Sequence, residues 1–265
     1  MPGDPLFLEA RPSAPPSGRE VVVFEDVVKV YNGRRVLDGV SFTVSEGEYI
    51  SLTGESMSGK TTIFKIIAGL VKPEQGRVTV FGRDIRELGE RARRDLLKKI
   101  EMQFQSGALF DSMTVRENIM FVLDEETSLP FKEKEAVITR LLKGVNLLSA
   151  INKFPFELSG GMKKRVAVAR ALATTPELAL FDEPAAGLDP VTSVRIVNLI
   201  KSLVAQYKMT LMAATTDVHT AMRFADRFLL LRNGRIHADA SWTVLKDSGD
   251  EYTRRFLDRT LKTKD

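Results

Sequence analysis

A nine-residue stretch, GESMSGKTT at residues 54–62, has the composition of a phosphate-binding loop. It satisfies the pattern G-x-x-x-x-G-K-S/T, in which glycines admit phosphate to the backbone N–H groups, a lysine reaches the terminal phosphates and a hydroxyl can ligate Mg²⁺. The flanking segments EYISLTG and KTTIFKIIAGL predict the strand and the helix that such a loop requires. The residues expected to contact nucleotide are Gly54, Glu55, Ser56, Met57, Ser58, Gly59, Lys60, Thr61 and Thr62.

Two acids, Asp182 and Glu183, follow the apolar run LALF, which predicts a short buried strand. An acid at the end of such a strand can orient the shell of a magnesium ion, and its neighbour can polarise water. Asp182 fits the first role and Glu183 the second. An acidic pair after a strand is also typical of a helix cap or a solvated turn, so the assignment depends on the loop at residues 54–62.

A third motif, LSGGMKKRVAVARAL at residues 158–172, predicts an amphipathic helix that begins near Ser159, Gly160 and Gly161. A serine hydroxyl and free N–H groups at a helix start form an anion site. A second anion site in a chain with one nucleotide loop indicates that it serves the nucleotide of a neighbouring molecule.

The loop, the acids and LSGG, in this order, resemble the ATP-binding subunits of ABC transporters over about residues 20 to 240. The resemblance implies ATP and Mg²⁺ as ligands, and a dimer in which LSGG of one subunit closes over the γ-phosphate bound by the other. It also implies that Tyr31 stacks on adenine, although a lone tyrosine ending a strand is ordinarily a packing residue. Gln105 would contact Mg²⁺ and water, and Asp189 in AAGLDP would lie in a loop that crosses the dimer interface.

A narrower resemblance comes from FQSGALFDSMTVRENIMF, followed by FPFELSGGMKKRVAVARAL. Both stretches are similar to the ATPases of bacterial Mla or Mce transporters, which move phospholipids or other hydrophobic molecules between membranes. The resemblance implies a homodimer bound peripherally at the cytoplasmic face of the inner membrane, under membrane permease subunits and often with an Mce-domain lipid-binding protein. The helical insertion would then dock a permease loop.

Met57 departs from the family pattern, which usually places a small glycine at this point of the loop. If the position needs a positive φ, a bulky side chain costs about 1 to 2 kcal/mol. Because 1.4 kcal/mol corresponds to one decade, we expect ATP to bind about tenfold more weakly but still to bind.

Thr216 is the second departure, since the family typically has Ser-His-Asp where this chain has Thr215, Thr216 and Asp217. A threonine hydroxyl can donate one hydrogen bond toward the γ-phosphate but carries no imidazole charge. Losing one preorganised donor costs about 10² to 10³ in rate, so hydrolysis is expected to be slow. His219 is interpreted as a surface histidine and His237 receives no functional role. The resemblance thus implies Glu183, Gln105 and Thr216 as catalytic residues and Thr61, Gln105 and Asp182 as metal-binding residues.

The elements around these motifs predict an α/β fold, a P-loop NTPase of the ABC ATPase type with a mainly parallel sheet. EVVVFEDVVKVY and RRVLDGVSFTV predict an antiparallel hairpin that turns at Asn32-Gly33, and a second hairpin turns at Asn233-Gly234. Helical patterns dominate between Thr114 and Ala173. We expect a flexible tail at 1–18, an ATP-binding domain at 19–238 with a helical insertion at about 108–172, and a C-terminal helical extension at 239–265.

The composition excludes several classes of protein. A chain of 265 residues with 43% hydrophobic residues can bury one full core. It has no cysteine, which excludes disulfides and thiolate metal sites. A formal charge of +4, from 39 basic and 35 acidic residues scattered along the chain, does not single out nucleic acid, and no nucleic-acid partner is expected. No apolar run approaches the roughly 18 residues of a membrane span, and the first 18 residues lack a signal-peptide pattern.

Two functional hypotheses follow. Glu183, Gln105 and LSGG favour an ATP-hydrolysing subunit that drives a permease. Met57 and Thr216 favour a catalytically weak subunit that binds ATP and regulates a permease beside an active partner. A soluble ABC protein acting on ribosomes or DNA repair complexes is a third class. Such proteins resemble tandem domains or domains with an inserted coiled coil, and this chain is too short for either.

Overall fold

The structure is a computed structural model that describes residues 18–103 and 109–262, with side-chain surroundings described up to residue 258. The strands are β1 Glu20–Tyr31, β2 Arg34–Ser45, β3 Tyr49–Gly54, β4 Gln75–Val80, β5 Arg83–Asp84, β6 Ile100–Gln103, β7 Leu178–Asp182, β8 Thr210–Thr215, β9 Arg227–Arg232 and β10 Arg235–Ser241. The helices are α1 Lys60–Ile67, α2 Glu90–Leu97, α3 Val115–Glu126, α4 Phe131–Gly144, α5 Gly160–Ala171, α6 Pro190–Gln206, α7 Val218–Phe224, α8 Trp242–Lys246 and α9 Glu251–Lys262.

The strands form two sheets. A four-stranded antiparallel sheet has the order β2-β1-β4-β5, and a six-stranded sheet has the order β10-β9-β3-β8-β7-β6. In the larger sheet all neighbours pair in parallel except β9 and β10. The predicted α/β class, with a mainly parallel sheet and an N-terminal antiparallel part, is confirmed.

Both predicted hairpins are present, and their turn residues explain them. Asn32 and Gly33 have φ values of 48° and 76°, and Asn233 and Gly234 have 48° and 75°. Two successive residues with positive φ form the turn whose twist matches that of the adjoining strands. Asparagine and glycine tolerate this conformation better than other residues, which is why the sequence reveals both turns.

The larger sheet is covered on both faces, so its central strands are apolar throughout. Along β7, Leu178 and Leu180 contact the side that carries α1 and the four-stranded sheet, whereas Ala179 and Phe181 contact the side that carries α3, α4, α5 and α6. All of these side chains are buried, and their packing holds β7 in place up to its last residue, Asp182. The core therefore sets the position of the polar residues at the sheet edge.

A third apolar cluster joins the C-terminal helices to the sheet. It contains Val218 and Ala221 of α7, Phe228 and Leu230 of β9, Leu245 of α8, and Phe256 and Leu257 of α9. The apolar side of α9 is thus packed against α7 and β9, although the sequence of α9 is strongly charged. No helix in the described ranges is long and apolar enough to span a bilayer.

Candidate active site

The carboxyl ends of three adjacent parallel strands meet at one edge of the larger sheet. The order β3-β8-β7 brings together the loop that begins at Gly54, the segment after Thr215, and Asp182 with Glu183. Ligands of open α/β sheets bind in the crevice outside such strand ends. Residues separated by more than 120 positions therefore share one site, as the motifs predict.

The two glycines of the loop occupy positions that exclude a side chain. Gly54 has a φ of 149°, and a Cβ atom there would collide with the carbonyl oxygen of Leu231. Gly59 has a φ of 112°, and its Cβ would lie 2.8 Å from the side chain of Leu37 and 3.0 Å from the carbonyl oxygen of Val36. Both glycines let the loop backbone pass closely over its neighbours, so that its N–H groups can face a ligand.

Met57 has a φ of 62°, which lies in the left-handed region, and its side chain is 87% exposed. The positive φ that we expected at this position is therefore a feature of the loop backbone. Strain common to the free and bound states lowers the stability of the fold and leaves the affinity almost unchanged. The tenfold weakening of ATP binding expected from the sequence applies only if the loop first adopts this conformation on binding.

We expect Met57→Gly to change the Kd for ATP by less than about threefold. The free energy of unfolding should rise by up to about 1 kcal/mol, because relief of left-handed strain exceeds the entropy cost of glycine. ATP titration and urea unfolding measure the two quantities, and Met57→Ala, which removes the side chain but retains a Cβ, is the control. A tenfold gain in affinity for Met57→Gly alone would show that the strain arises on binding.

The start of α1 has the features of an anion site. Its first residue follows Gly59, which provides no side-chain cap, and no acid lies in the first turn. The Ser58 hydroxyl oxygen is buried and has no hydrogen-bond partner in the described part of the chain. A buried polar atom without a partner is costly, so a ligand with acceptor oxygens would stabilise this loop. The loop therefore fits the phosphates of a nucleotide.

The side chain of Lys60 folds back over the phosphate-binding loop and contacts its backbone. Its ammonium group donates hydrogen bonds to the carbonyl oxygens of Gly54 at 2.9 Å and Glu55 at 2.8 Å. Burial lowers the pKa of Lys60, and the negative charges of Glu183 and Asp182 oppose this shift. The lysine is thus a buried cation, held by backbone oxygens and by the two acids.

Thr61 and Asp182 form a direct pair. The Thr61 hydroxyl donates to Oδ2 of Asp182 at 2.7 Å, although 121 positions separate the residues. Burial raises the pKa of Asp182, while this hydrogen bond and the charge of Lys60 oppose the rise. A hydroxyl and a carboxylate are hard oxygen ligands that suit Mg²⁺.

The described residues contain no cluster of three or more histidine, aspartate or glutamate side chains that could enclose a metal ion. The Thr61 hydroxyl and the Asp182 carboxylate are nevertheless sufficient for Mg²⁺, which usually takes one or two protein ligands and completes its shell with water and phosphate oxygens. Gln105, the remaining predicted metal and catalytic residue, lies outside the described residues.

Glu183 sits directly after β7 with a φ of 49°, and its N–H donates to the carbonyl oxygen of Ala214 at 2.9 Å. Burial raises the pKa of its carboxyl group. The charge of Lys60 and hydrogen bonds from the Thr215 hydroxyl and the Thr216 N–H oppose this rise. A carboxylate with a raised pKa, anchored beside a lysine, is suited to accept a proton from water.

Thr215, to which the sequence assigned no role, connects this acid to the adjoining segment. Its hydroxyl contributes to the environment of Glu183 and accepts a hydrogen bond from the N–H of Asp217 at 3.1 Å. Asp217 in turn caps α7, accepting from the N–H of His219 at 3.1 Å and from the hydroxyl of Thr220 at 2.7 Å. Thr216 is therefore held between two fixed neighbours and is half-buried.

His219, which we interpreted from the sequence as a surface residue, is half-buried in the structure. Its Nε2 atom is buried and has no hydrogen-bond partner in the described ranges. His237, which received no role, lies 2.7 Å from the Asp250 carboxylate, measured from Nε2 to Oδ2.

The remaining predicted nucleotide residues lie at helix starts and on the surface. Ser159 is the N-cap of α5, and its hydroxyl accepts from the N–H of Met162 at 3.3 Å, with Gly160 and Gly161 forming the first turn. Asp189 caps α6 in the same way, accepting from the N–H of Thr192 at 3.0 Å. The ring of Tyr31 is 40% exposed at the end of β1.

Comparison with known proteins defines the class. The pattern of the ABC transporter family matches residues 37–186. The chain is 35% identical, over 90% of its length and 88% of the relative, to the intermembrane phospholipid transport system ATP-binding protein MlaF of Escherichia coli strain K12. It is also 35% identical, over 94% of its length and 67% of the relative, to the methionine import ATP-binding protein MetN of Mesorhizobium japonicum.

Solved structures agree with this assignment. The dimeric structure of the ATP-binding cassette MJ0796 in a post-hydrolysis state, bound to ADP and Pi, is similar with a TM-score of 0.76 and 31% identity. The similarity covers 83% of this chain and 98% of the cassette. The chain therefore belongs to the ABC transporter family, as one of its ATP-hydrolysing subunits.

Proposed function

We propose that this chain dimerises on binding ATP and drives a membrane permease that moves phospholipid or another hydrophobic molecule between bacterial membranes. The observation that carries the catalytic part is the Thr61–Asp182 pair, with Lys60 and Glu183 beside it, at the carboxyl ends of β3 and β7. This arrangement is a preorganised site for a triphosphate with its metal ion.

Each residue of the site has a separate proposed role in ATP binding or hydrolysis. Lys60 and the N–H groups of the loop bind the phosphates, Thr61 and Asp182 hold Mg²⁺, and Glu183 accepts a proton from the attacking water. Mg²⁺, when bound, screens the charge of the phosphates. Ser159 and the glycines after it close over the nucleotide of a second copy of the chain, and Tyr31 stacks on its own adenine.

The lipid cargo rests on the similarity to MlaF and on the stretch QSGALFD. MetN, which is equally identical, is named for methionine import, so the overall likeness does not distinguish the two cargoes. We propose phospholipid because that stretch matches the Mla and Mce ATPases. The chain would bind peripherally at the cytoplasmic face of the inner membrane, with permease subunits and an Mce-domain protein as partners.

A groove beside β6 supports the proposed permease contact. A cavity of about 320 Å³ lies between the sheet edge and α3, and its lining includes Glu101 and the side chain of Phe121, which is 40% exposed. Burial raises the pKa of Glu101 to about 7, and the charge of Arg170 opposes the rise. The groove lies along β6, which pairs with β7, the strand that ends in Asp182, so a permease loop bound there would contact the same sheet as the nucleotide site. The division into a tail, a domain with a helical insertion and a C-terminal extension stays a prediction.

Hydrolysis is proposed to be slow, because Thr216 provides one hydroxyl where the family typically has an imidazole. The same observation favours the second candidate, a regulatory subunit that binds ATP and pairs with an active partner. Anchoring of Glu183 by Thr215 and Thr216 favours the enzyme.

Phosphate release by the purified full-length protein tests the proposal. We expect slow, saturable release that requires Mg²⁺ and stops when EDTA removes it. Purified in detergent with its permease, the protein should hydrolyse ATP faster when phospholipid is added than when methionine is added. No saturation at millimolar ATP would refute the nucleotide site, and stimulation by methionine alone would refute the lipid cargo.

A further inference from the structure

Helix α9 packs against the helix that follows Thr216. Phe256 and Leu257 of α9 are each 7% exposed and share an apolar cluster with Val218 and Ala221 of α7. The cluster also includes residues of β9, the strand next to β3 in the larger sheet. The C-terminal helix therefore contacts two elements that flank the nucleotide site.

The end of β9 lies against the start of the phosphate-binding loop. Gly54 pairs with Leu231 in the parallel register of β3 and β9, and the two backbones approach so closely that Gly54 has no room for a Cβ atom. Arg232 is the next residue and the last of β9. A change in the position of this strand end would therefore move the loop.

Tyr252 of α9 covers Arg232. The guanidinium carbon lies 3.9 Å from the centre of the tyrosine ring, a distance at which a cation is attracted to the face of the ring. Phe256 stacks on the same ring and His237 meets its edge, with ring centres 6.3 Å and 4.9 Å away. The ring is thus held in place from several sides.

The phosphate-binding loop lies within electrostatic reach of the same tyrosine. Burial, and then the negative charge of Glu55, raise the pKa of the Tyr252 phenol, whereas Arg232 opposes the rise. Glu55 directly follows Gly54 in the loop. Tyr252 thus contacts Arg232 directly and lies within electrostatic range of Glu55 at the start of the loop.

The beginning of α9 is anchored separately. Asp250 accepts a hydrogen bond from the N–H of Thr253 at 2.7 Å and pairs with His237 of β10 at the same distance. This anchor fixes the first turn of α9, which carries Tyr252.

We propose that Tyr252 is a positioning residue for the nucleotide site: by covering the Arg232 guanidinium, it fixes the end of β9 and the phosphate-binding loop beside it. Tyr252 acts through Arg232 and touches no reacting atom. The inference rests on the proposed binding of ATP by residues 54–62. It gives the C-terminal extension a specific role in ATP affinity.

ATP titration of the full-length protein, by displacement of a fluorescent ATP analogue, tests the inference. Tyr252→Leu removes the ring and should raise the Kd for ATP about three- to tenfold, with a smaller change in kcat. Arg232→Met removes the cation at an exposed position and should raise the Kd similarly. Tyr252→Phe should bind within about twofold of wild type, because the buried tyrosine hydroxyl has no hydrogen-bond partner in the described residues.

Leu257→Ala is the matched control, since it weakens the packing of α9 without touching Arg232. It should lower the Tm and leave the Kd unchanged. The inference is overturned if Tyr252→Leu and Arg232→Met bind ATP as tightly as wild type, or if Leu257→Ala weakens binding as much as they do. Failure of the wild-type protein to saturate would instead overturn the proposed ATP site, and this inference with it.

Discussion

Glu183→Gln is expected to lower the rate of ATP hydrolysis by about 10²- to 10⁴-fold, the usual contribution of a general base. The amide has almost the same shape as the carboxyl group, so it can keep a hydrogen bond from Thr215 or Thr216, but it cannot accept a proton from water. Because the loop and Lys60 are unchanged, the Kd for ATP should stay within about threefold of wild type. Single-turnover phosphate release and ATP titration measure the two effects.

Glu177→Gln provides the control for this substitution. Glu177 is an exposed residue just before β7, at the opposite end of the strand from Asp182, and its carboxylate pairs with Lys99 at 2.7 Å. The Glu177→Gln protein should hydrolyse ATP at the wild-type rate. If Glu183→Gln also did so, Glu183 would not be the base, and the polarisation of water would have to come from another group.

Thr216→His is expected to raise turnover by at least about tenfold and by up to about 10²-fold. One preorganised donor toward the developing charge contributes about 10² to 10³ in rate, and a half-buried position between fixed neighbours should preserve part of that geometry. Steady-state phosphate release at saturating ATP measures the gain. It should disappear when Glu183→Gln is added, because the imidazole assists the base and does not replace it.

Thr216→Val, which keeps the shape of threonine and removes its hydroxyl, is the control and should be no faster than wild type. A variant with Thr216→His that binds ATP but turns over no faster than wild type would favour the regulatory subunit. In that case the slow step would lie outside the residues of this site.

Several features of the fold and the site could be predicted because single residues determine them. The positive φ values of Asn32 and Gly33 mark a turn, and Gly54 and Gly59 mark a loop where no Cβ fits. Thr61 and Asp182 could be paired across 121 positions because each belongs to a motif at the end of a parallel strand. Such features can be recognised in the sequence because few other residue types can occupy these positions.

Other features depend on packing and have no such mark. Tyr252, Phe256 and Leu257 are apolar positions in a strongly charged helix, and nothing in their spacing indicates that they lie against α7 and β9. The burial of the Nε2 atom of the half-buried His219 likewise has no mark in its local sequence. The family pattern indicates from the sequence that Met57 stands at a position of positive φ, and the backbone confirms it with a φ of 62°.

The ATP dependence of dimerisation tests the shared nucleotide site most directly. Light scattering of the Glu183→Gln protein, which should hold ATP without cleaving it, is compared with and without ATP and Mg²⁺. We predict a monomer without nucleotide, a dimer with it, and no dimer when Ser159→Arg blocks the start of α5. An identical mass in the presence and absence of ATP, or an ATP-dependent dimer that Ser159→Arg leaves intact, would contradict the account.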